Sequence, residues 1–424
     1  MRFQNLDDWL SWQETLHPAE IDMGLERIRQ VWQRLCPQKF EPVVISVAGT
    51  NGKGSCSAMF ESIYRHAGYN VGCYTSPHLL RYNERIRIRG EEVQDLPLCQ
   101  AFEAVDQARA DTSLTYFEFG TLAALYLFNR AGLDLVILEV GLGGRLDAVN
   151  IIDADVALLT SVGLDHQDWL GHDRDTIGLE KAGIFRPGRP AICAEADPPT
   201  SVLAYAQQQG VPTRVFTQAF SITVEQGSWS WHGPDHQSRY SLPMPALRGR
   251  KQVQNAAAVI MVVESLSRDL PVSQDHLRRG LLDVSLPGRF QVVAGRVPII
   301  LDVAHNAQAA EVLLENLQAY ACQGRIHAVL GMLHDKDAGA VAGLLDSAVY
   351  RWQLGGISAS RGQDAEQLAQ QLLTVGVANY ELNQDVIQAF EHAQAAAREG
   401  DCILVFGSFY TVADIMRRLS RSEQ

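Results

Sequence analysis

Short apolar runs alternate with segments of helical periodicity along most of the chain. The runs are of strand length and rich in β-branched residues, whereas the intervening segments place apolar residues three and four positions apart. We predict strands near 43–48, 71–75, 134–141 and 156–162, followed by strand, helix and strand within 191–216, and helices at 23–36, 57–66, 97–110, 115–130 and 248–266. This alternation predicts an α/β protein with a mainly parallel sheet.

The pattern restarts after Leu286-Pro287-Gly288-Arg289-Phe290, which we interpret as a hinge. The second part is predicted to contain strands at 297–303, 325–331, 349–354 and 402–406, and helices at 307–320, 337–346, 364–374 and 385–398. We therefore predict two domains, 1–286 and 287–424. The second is a smaller α/β domain of Rossmann-like type and of ordinary domain size.

Two segments have a period of two. Residues 217–242 alternate in this way around two tryptophans and predict an antiparallel ribbon on the mainly parallel sheet. Arg85, Arg87 and Arg89 alternate with two isoleucines, which predicts a strand whose arginines face solvent. A role for these arginines in binding an anionic substrate is the alternative.

A glycine-rich loop lies between the first strand and a helix. It consists of Gly49, Thr50, Asn51, Gly52, Lys53, Gly54 and Ser55. The backbone N–H groups of such a loop converge at a helix N-terminus, which suits a phosphate chain. Lys53 would add a positive charge at the outer phosphates, and Ser55 would contact Mg²⁺ or a phosphate oxygen. The first domain is therefore predicted to be a P-loop-type ATPase domain. An ordinary glycine-rich turn is the alternative, since Gly54 departs from the general motif.

Polar side chains also follow other strands of the predicted sheet. Glu139 ends one apolar run, and Asp165 and His166 follow the next one. The carboxyl ends of parallel strands share one edge of a sheet, and ligands bind beyond that edge. We therefore expect these groups to lie on the same edge as the glycine-rich loop.

Composition narrows the possible classes of protein. The chain has 36 basic and 49 acidic residues, a net charge of −13, which argues against a general nucleic-acid-binding protein. The seven cysteines include no C-x-x-C pair, as expected for reduced thiols in a cytoplasmic protein. No signal peptide and no apolar run of membrane length are evident. We expect a cytoplasmic protein with no membrane partner, and a monomer.

Ordered motifs along nearly the whole chain resemble one family. They are GTNGKGS at 49–55, TSPHL at 75–79, EVGLGGRLDAVN at 139–150, GLDH at 163–166, EKAGI at 180–184, PGRF at 287–290 and DVAHN at 302–306. The chain resembles the bacterial folate-glutamate ligases, the bifunctional dihydrofolate synthases/folylpolyglutamate synthases of the Mur ligase superfamily. Ser55 and Val303 depart from the residues most frequent in the family, Thr and Gly respectively.

The resemblance implies an ATP-dependent amide ligation on small-molecule substrates. ATP phosphorylates the carboxylate of dihydropteroate, or of a folate's terminal glutamate, to an acyl phosphate. The amine of free L-glutamate then attacks the acyl phosphate and expels phosphate. The resemblance does not say whether one or both acceptors are used.

The resemblance also implies roles for individual residues. Two Mg²⁺ sites are implied, one held by Ser76 and Glu139, the other by Glu139, His166 and a CO₂-modified Lys181 (N6-carboxylysine), with a monovalent cation nearby. ATP binding is implied for the loop together with Asn255, Arg289 and Asp302. The implied dihydropteroate pocket consists of Asp22, Met23, Gly24, Leu25, Thr115, Tyr116, Phe117, Glu118, Leu146, Asp147 and Ala148. His305 and Ser408 are implied near the glutamate or the phosphate, and the implied catalytic set is Lys53, Glu139, His166, Lys181 and His305.

Some residues also have a purely structural interpretation. A lysine such as Lys181, in the last turn of a helix before a glycine, usually satisfies the helix C-terminus. Asp22 is placed to cap the helix at 23–36, which the pattern alone describes as a packing helix.

Two other functions remain possible from the residues. A muramyl-peptide ligase would use the same chemistry, but such ligases carry a UDP-binding domain before the phosphate loop. In this sequence 42 residues precede Val43, which is too few for a βαβ-based domain of ordinary size and disfavours this function. A nucleotide-binding regulatory module would hydrolyse ATP to switch a partner. It would need the loop, but not His166, Lys181 and the motifs of the second domain together.

Overall fold

The computed structural model describes residues 1–359 and 361–422, which form two compact units. The first unit comprises Met1–Ala246 and Val253–Val284, and the second comprises Leu247–Gln252 and Ser285–Gln424. Among the helices of these described residues, none combines the length and apolar character needed to cross a bilayer.

The first unit is built on an eight-stranded sheet. Its strands are β1 Val43–Ala48, β2 Val71–Tyr74, β3 Ile86–Ile88, β4 Glu91–Glu92, β5 Leu135–Glu139, β6 Val156–Leu159, β7 Ala191–Cys193 and β8 Thr213–Val215. The order is β4-β3-β2-β5-β1-β6-β7-β8, and every neighbouring pair is parallel except β2–β3 and β3–β4, so that β3 runs against the other strands. The mainly parallel sheet is confirmed. Because β5 and β1 are central and covered on both faces, their side chains are almost wholly buried.

Helices cover both faces of this sheet. They are α1 Leu6–Glu14, α2 Glu26–Leu35, α3 Lys53–His66, α4 Asp95–Arg109, α5 Tyr116–Arg130, α6 Gln167–Leu170, α7 Arg174–Ala182, α8 Thr200–Gln208, α9 Arg250–Ser265 and α10 Gln274–Asp283. Short 3₁₀ helices occur at Tyr82–Arg85, Ala148–Ile151 and Pro234–His236. The capping prediction for Asp22 is wrong, because α2 starts at Glu26 behind Leu25, which makes no side-chain cap.

The period-two segment, predicted to be an antiparallel ribbon on the main sheet, is antiparallel and forms a separate sheet of three strands. The strands are β9 Ser221–Glu225, β10 Ser228–His232 and β11 Ser238–Pro243, with β10 in the middle. Trp229 and Trp231 are fully buried, and Trp231 Nε1 donates to Ala257 O of α9 at 3.1 Å. The hydrogen bond from Trp231 thus joins this sheet to α9.

The arginine strand also differs from the prediction. Only Arg89 of the three alternating arginines is exposed. Arg87 forms an ion pair with the buried Glu61, and its side chain is 20% exposed. Arg85 lies over aromatic rings. The cause is tertiary contact, because Glu61 belongs to α3 and Tyr116 belongs to α5, and these two side chains take up Arg87 and Arg85.

The second unit contains a six-stranded sheet with helices on both faces. Its strands are β12 Gln291–Val293, β13 Ile299–Asp302, β14 Ile326–Leu330, β15 Arg351–Gly355, β16 Tyr380–Asn383 and β17 Cys402–Phe406, in the order β12-β13-β17-β14-β15-β16. Its helices are α11 Ala307–Tyr320, α12 Ala338–Leu345, α13 Ala365–Thr374, α14 Val386–Ala396 and α15 Phe409–Ser422, with a 3₁₀ turn at Asp346–Ala348. Only β12 is antiparallel. The pattern missed β12 and β16, which are short edge strands with partly exposed side chains.

Candidate active site

The glycine-rich loop is tied to the chain that leaves β6. Thr50 N donates to Ser161 O at 2.7 Å, and Asn51 N donates to Ser161 Oγ at 3.0 Å. Thr50 Oγ1 donates to Gly163 O at 3.1 Å and accepts from Gly163 N at 3.0 Å. Backbone and side-chain groups of Ser161 and Gly163 thus hold the loop, which therefore has a defined shape before any ligand binds.

Two glycines allow this close approach. Gly49 has a φ of +151°, and a Cβ there would lie 1.9 Å from Thr160 Oγ1, so no other residue fits without displacing Thr160 and Ser161, which follow β6. A Cβ at Gly52 would lie 3.3 Å from Asn255 Oδ1 of α9. Asn255 is 3% exposed, and its side chain therefore lies buried against the loop at Gly52.

Lys53 begins α3 and folds back over the loop. Its Nζ donates to Gly49 O at 2.9 Å and is 3.3 Å from Thr50 O. The loop amides and the first turn of α3 provide N–H donors and positive potential at the same place. Ser55 is buried in the first turn of α3. The arrangement can hold a chain of phosphate groups.

Lys181 is buried at the end of α7, with 4% of the residue exposed. Burial and the nearby charge of Lys53 lower the pKa of its amine from 10.5 to about 7, and the carboxylates of Asp165 and Asp147 oppose this shift. The prediction that the lysine serves only the helix C-terminus does not explain this burial. Near neutral pH a large fraction of the amine is neutral and therefore nucleophilic.

Asp147 accepts hydrogen bonds within the segment after β5 and interacts electrostatically with Lys53 of the loop and with Lys181. Its Oδ2 accepts from Gly141 N at 3.0 Å and from Leu142 N at 2.8 Å, and its Oδ1 accepts from Val149 N at 3.0 Å. Burial raises the pKa of Asp147 to about 6, whereas these backbone donors and Lys53 hold it lower than burial alone would. The carboxylate thus shapes the turn that follows Glu139.

Of the implied magnesium ligands, Glu139 and Ser76 lie at the carboxyl ends of strands, whereas His166 lies seven residues beyond β6 and Lys181 lies on α7. Glu139 is the last residue of β5, is 4% exposed and is in register with Val47 of β1. Ser76 follows β2 by two residues and is half-buried. His166 precedes α6 with a left-handed backbone, φ +51° and ψ +41°, and its N–H donates to Asp165 Oδ1 at 2.9 Å.

No three His, Cys, Asp or Glu side chains converge on a ready metal site within the described ranges. Ser76 and Glu139, the residues implied for the first magnesium site, nevertheless carry suitable ligand atoms. Mg²⁺ takes oxygen ligands, keeps several waters and needs only one or two protein carboxylates beside substrate phosphates. Glu139 provides one buried carboxylate and Ser76 provides a hydroxyl, which are oxygen ligands of the kind that Mg²⁺ takes.

The three segments implied in the dihydropteroate pocket meet. Arg27 links two of them, because its guanidinium pairs with Asp22 and its Nε lies 2.9 Å from a carboxylate oxygen of Glu118. Glu118 closes a capping box with Thr115, whose N and Oγ1 both donate to it at 2.9 Å. The start of α5 and residues 22–25 are therefore held side by side.

The third segment joins them through two close contacts. A Cβ at Gly141 would lie 2.7 Å from the ring of Phe117, and one at Gly143 would lie 3.3 Å from Met23 Cε. Leu146, Asp147 and Ala148 follow in the same turn, and Ala148 begins a 3₁₀ helix that packs against α5 and α2. Gly24 and Leu25 lie between Met23 and the start of α2.

In the second unit, Asp302 organises the end of β13. Its carboxylate accepts from Phe290 N and Ala304 N, each at 2.8 Å. Burial raises the pKa of Asp302, while Arg289, the two backbone donors and His305 oppose that rise. The guanidinium carbon of Arg289 lies over the ring of Phe409, 5.6 Å from its centroid, and the His305 ring is tilted by 53° against the same ring with 6.5 Å between the two centroids.

Ser408 precedes Phe409 at the start of α15. It is buried, and its Oγ accepts from Tyr410 N at 3.2 Å. His305 Nδ1 lies 2.9 Å from Val303 O, which sets the orientation of the ring. Of the four residues of this unit that the resemblance implied, Arg289 and His305 thus lie near the ring of Phe409, and Ser408 precedes Phe409 in the chain.

Two family models match the chain. The Mur ligase middle domain matches residues 47–263, and the Mur ligase glutamate ligase domain matches residues 288–409. The dihydrofolate synthase/folylpolyglutamate synthase of Escherichia coli (strain K12) is 45% identical over 411 residues, which cover 97% of this chain and 94% of that protein. The chain belongs to the dihydrofolate synthase/folylpolyglutamate synthase family.

Solved structures of this family agree over nearly the full length. The structure of E. coli FolC in complex with DHPP and ADP has a TM-score of 0.94 and 44% identity, and covers 99% of both chains. A bifunctional folylpolyglutamate synthase/dihydrofolate synthase with Mn, AMPPNP and L-glutamate bound has a TM-score of 0.91 and 44% identity, and covers 98% of both chains. The family prediction and the α/β fold prediction are confirmed.

Several residues that contact or act electrostatically on the candidate site residues were not identified from the sequence. Arg27 falls on a helix that the pattern described as a packing helix. Phe409 follows the Gly407-Ser408 motif but was not singled out. Asp165 was placed at the sheet edge without a role, although it acts electrostatically on Lys181. Its place beside His166 in GLDH was an available signal, whereas nothing in the sequence connects Arg27 with Glu118.

Proposed function

We propose that this protein joins L-glutamate to dihydropteroate and to folyl-glutamates in an ATP-dependent ligation. Its relatives carry both activities in their names, and related structures contain nucleotide, Mn and L-glutamate. The observation that carries the proposal is the position of Lys53. This side chain covers the phosphate loop and lies within electrostatic reach of Asp147 and Lys181, so it links the nucleotide loop to the acceptor pocket.

The proposed reaction has two steps. An oxygen of the acceptor carboxylate attacks the terminal phosphorus of ATP, the bond to the bridging oxygen breaks, and ADP leaves. The amine of glutamate then attacks the acyl carbon and loses a proton, and inorganic phosphate leaves. Lys53 and the loop amides stabilise the negative charge on the transferred phosphoryl group.

We propose that two Mg²⁺ ions are held by the residues at the strand ends. Ser76 and Glu139 would hold one of them, and Glu139, His166 and the modified Lys181 the other. When bound, such ions neutralise charge on the phosphoryl oxygens. A monovalent cation is proposed beside them.

The modification proposed for Lys181 follows from its surroundings. A buried ammonium would repel a metal ion and Lys53. A neutral amine reacts with CO₂, releasing a proton and forming a carbamate, which offers anionic oxygen to a metal. The lowered pKa of Lys181 supports this reaction at neutral pH.

Substrate roles are proposed by segment. Asp22–Leu25, Thr115–Glu118 and Leu146–Ala148 bind the acceptor. The loop, Asn255, Arg289 and Asp302 bind ATP, and His305 and Ser408 bind glutamate or the released phosphate. We also propose that residues 1–286 and 287–424 act as nucleotide and glutamate domains of a cytoplasmic monomer with no nucleic-acid or membrane partner.

Phosphate release and product analysis test the proposal. Dihydropteroate or tetrahydrofolate is supplied as acceptor with ATP, Mg²⁺ and glutamate, and each substrate is also omitted in turn. Phosphate release that requires both acceptor and glutamate, with a glutamylated product from each acceptor, is expected. Release that ignores both substrates would indicate the regulatory ATPase instead. A product from only one acceptor would restrict the function to one synthase.

A further inference from the structure

Arg85 is held rigidly at the carboxyl end of β2. Its guanidinium carbon lies 5.2 Å from the centroid of the Tyr82 ring and 5.7 Å from that of Tyr116. Its Nε donates to His78 Nδ1 at 2.8 Å. Two aromatic rings and one hydrogen bond thus fix the orientation of the planar group.

This support leaves the outer edge of the guanidinium unused. Neither terminal nitrogen of Arg85 makes a hydrogen bond or an ion pair with any residue in the part of the chain that the structure describes, nor is either one enclosed. The other arginines of this segment differ. Arg81 pairs with Asp95, Arg87 pairs with Glu61, and Arg89 donates to Asn70 and to a backbone carbonyl. Arg85 therefore presents two donors that no protein group occupies.

The position of these donors points to the acceptor. Thr75 N donates to Arg85 O at 2.9 Å, so Arg85 lies beside the residue that precedes Ser76, a proposed magnesium ligand. Tyr116, over which the guanidinium lies, belongs to the proposed acceptor pocket. Arg85 thus stands between the region where the phosphoryl group is transferred and the region where the acceptor binds.

The two acceptors differ in the number of carboxylates at their reacting ends. Dihydropteroate has a single carboxylate, and that carboxylate reacts. A folyl-glutamate ends in a residue with two carboxylates, of which one reacts and one does not. A planar guanidinium with two open donors matches a carboxylate in a bidentate geometry.

We propose that Arg85 is a specificity-determining residue, whose terminal nitrogens bind the non-reacting carboxylate of a folyl-glutamate acceptor. The inference rests on the proposed function and adds to it a physical basis for using both acceptors at one site. The acceptor pocket binds the part that the two molecules share. Arg85 adds an interaction that only the glutamylated acceptor makes.

The test compares kcat/KM for the two acceptors in Arg85→Gln, Arg85→Lys and the wild type. We expect Arg85→Gln to lower kcat/KM for tetrahydrofolate at least about tenfold more than kcat/KM for dihydropteroate, mainly through KM, because a charge-assisted hydrogen bond is lost. Arg85→Lys keeps the charge without the planar fork and should give an intermediate ratio. The matched control is Arg89→Gln, which removes the same charge from the other end of β3 and should leave the acceptor ratio as in the wild type.

A second measurement begins with the wild-type protein, so that its first result does not depend on whether a variant folds. Tetrahydrofolate analogues with one carboxylate of the terminal glutamate converted to carboxamide are offered to the wild type. The isomer that still reacts has lost only the non-reacting carboxylate. Its kcat/KM should fall as far as that of Arg85→Gln, and combining analogue and variant should add little, because both remove the same interaction.

The outcomes separate this inference from the proposed function. A wild-type protein that glutamylates neither acceptor would overturn the function itself. Equal losses for both acceptors in Arg85→Gln, or a raised KM for ATP or free glutamate, would overturn only the role of Arg85. Full additivity between analogue and variant would overturn it as well.

Discussion

The buried Lys181 should cost the folded protein stability, and the cost is measurable. Its amine titrates at about 7 in the fold instead of 10.5. Each pH unit of such a shift corresponds to about 1.4 kcal/mol, so the charged lysine disfavours folding by up to about 5 kcal/mol. That amount is comparable with the whole stability of many domains.

The cost has a defined pH window. Below pH 7 the lysine is protonated in both folded and unfolded chains, and the full penalty applies. Between about 7 and 10.5 only the unfolded chain binds the proton, so stability rises with pH. Above this window both forms are neutral and the penalty is gone.

Replacing Lys181 by Met removes the charge and keeps a chain of similar length. We expect Lys181→Met to abolish ligation and to be more stable than the unmodified wild type at pH 6, by up to about 5 kcal/mol, with the gain shrinking towards pH 10. Urea unfolding across this range in CO₂-free buffer measures the difference. Lys39→Met, which removes an exposed lysine of the same unit, should change stability by less than about 0.5 kcal/mol.

Two results would refute this reasoning. One is a wild type and a Lys181→Met variant whose stabilities run parallel from pH 6 to pH 10. The other is a variant that is less stable than the wild type at pH 6. Either would mean that the amine keeps its charge in the fold at little cost, and the basis for a neutral, CO₂-reactive lysine would be gone.

The remaining predictions concern the site directly. Lys53→Ala and Glu139→Ala should each lower kcat at least about 10³-fold with unfolding curves near the wild type, and near-normal turnover in either would contradict the site. Arg27→Gln should raise KM for both acceptors but not for ATP, because it removes the guanidinium that pairs with both Asp22 and Glu118 and holds their segments together. A raised KM for ATP alone would contradict that role. ¹³C-labelled bicarbonate should give a carbamate NMR signal that is absent from Lys181→Met, and an equal signal in that variant would place the modification elsewhere.

Much of the architecture could be predicted from local pattern. The apolar runs at 43–48 and 134–141 contain β1 and β5, because a strand buried on both faces must be apolar at nearly every position. The helix at 307–320 and the strand at 402–406 were predicted with the bounds that the structure shows. Edge strands such as β16 were missed, since a half-exposed strand has little apolar signal.

By itself, the sequence determined the sheet, the glycine-rich loop and the edge of the sheet at which polar groups collect. These follow from local periodicity and from the rule that parallel strands end together. Only the tertiary structure decided that Lys181 is buried beside Lys53, that Arg27 joins Asp22 to Glu118, and that Arg85 keeps two unused donors. Burial and pairing depend on segments far apart in the chain, so no local pattern carries that information.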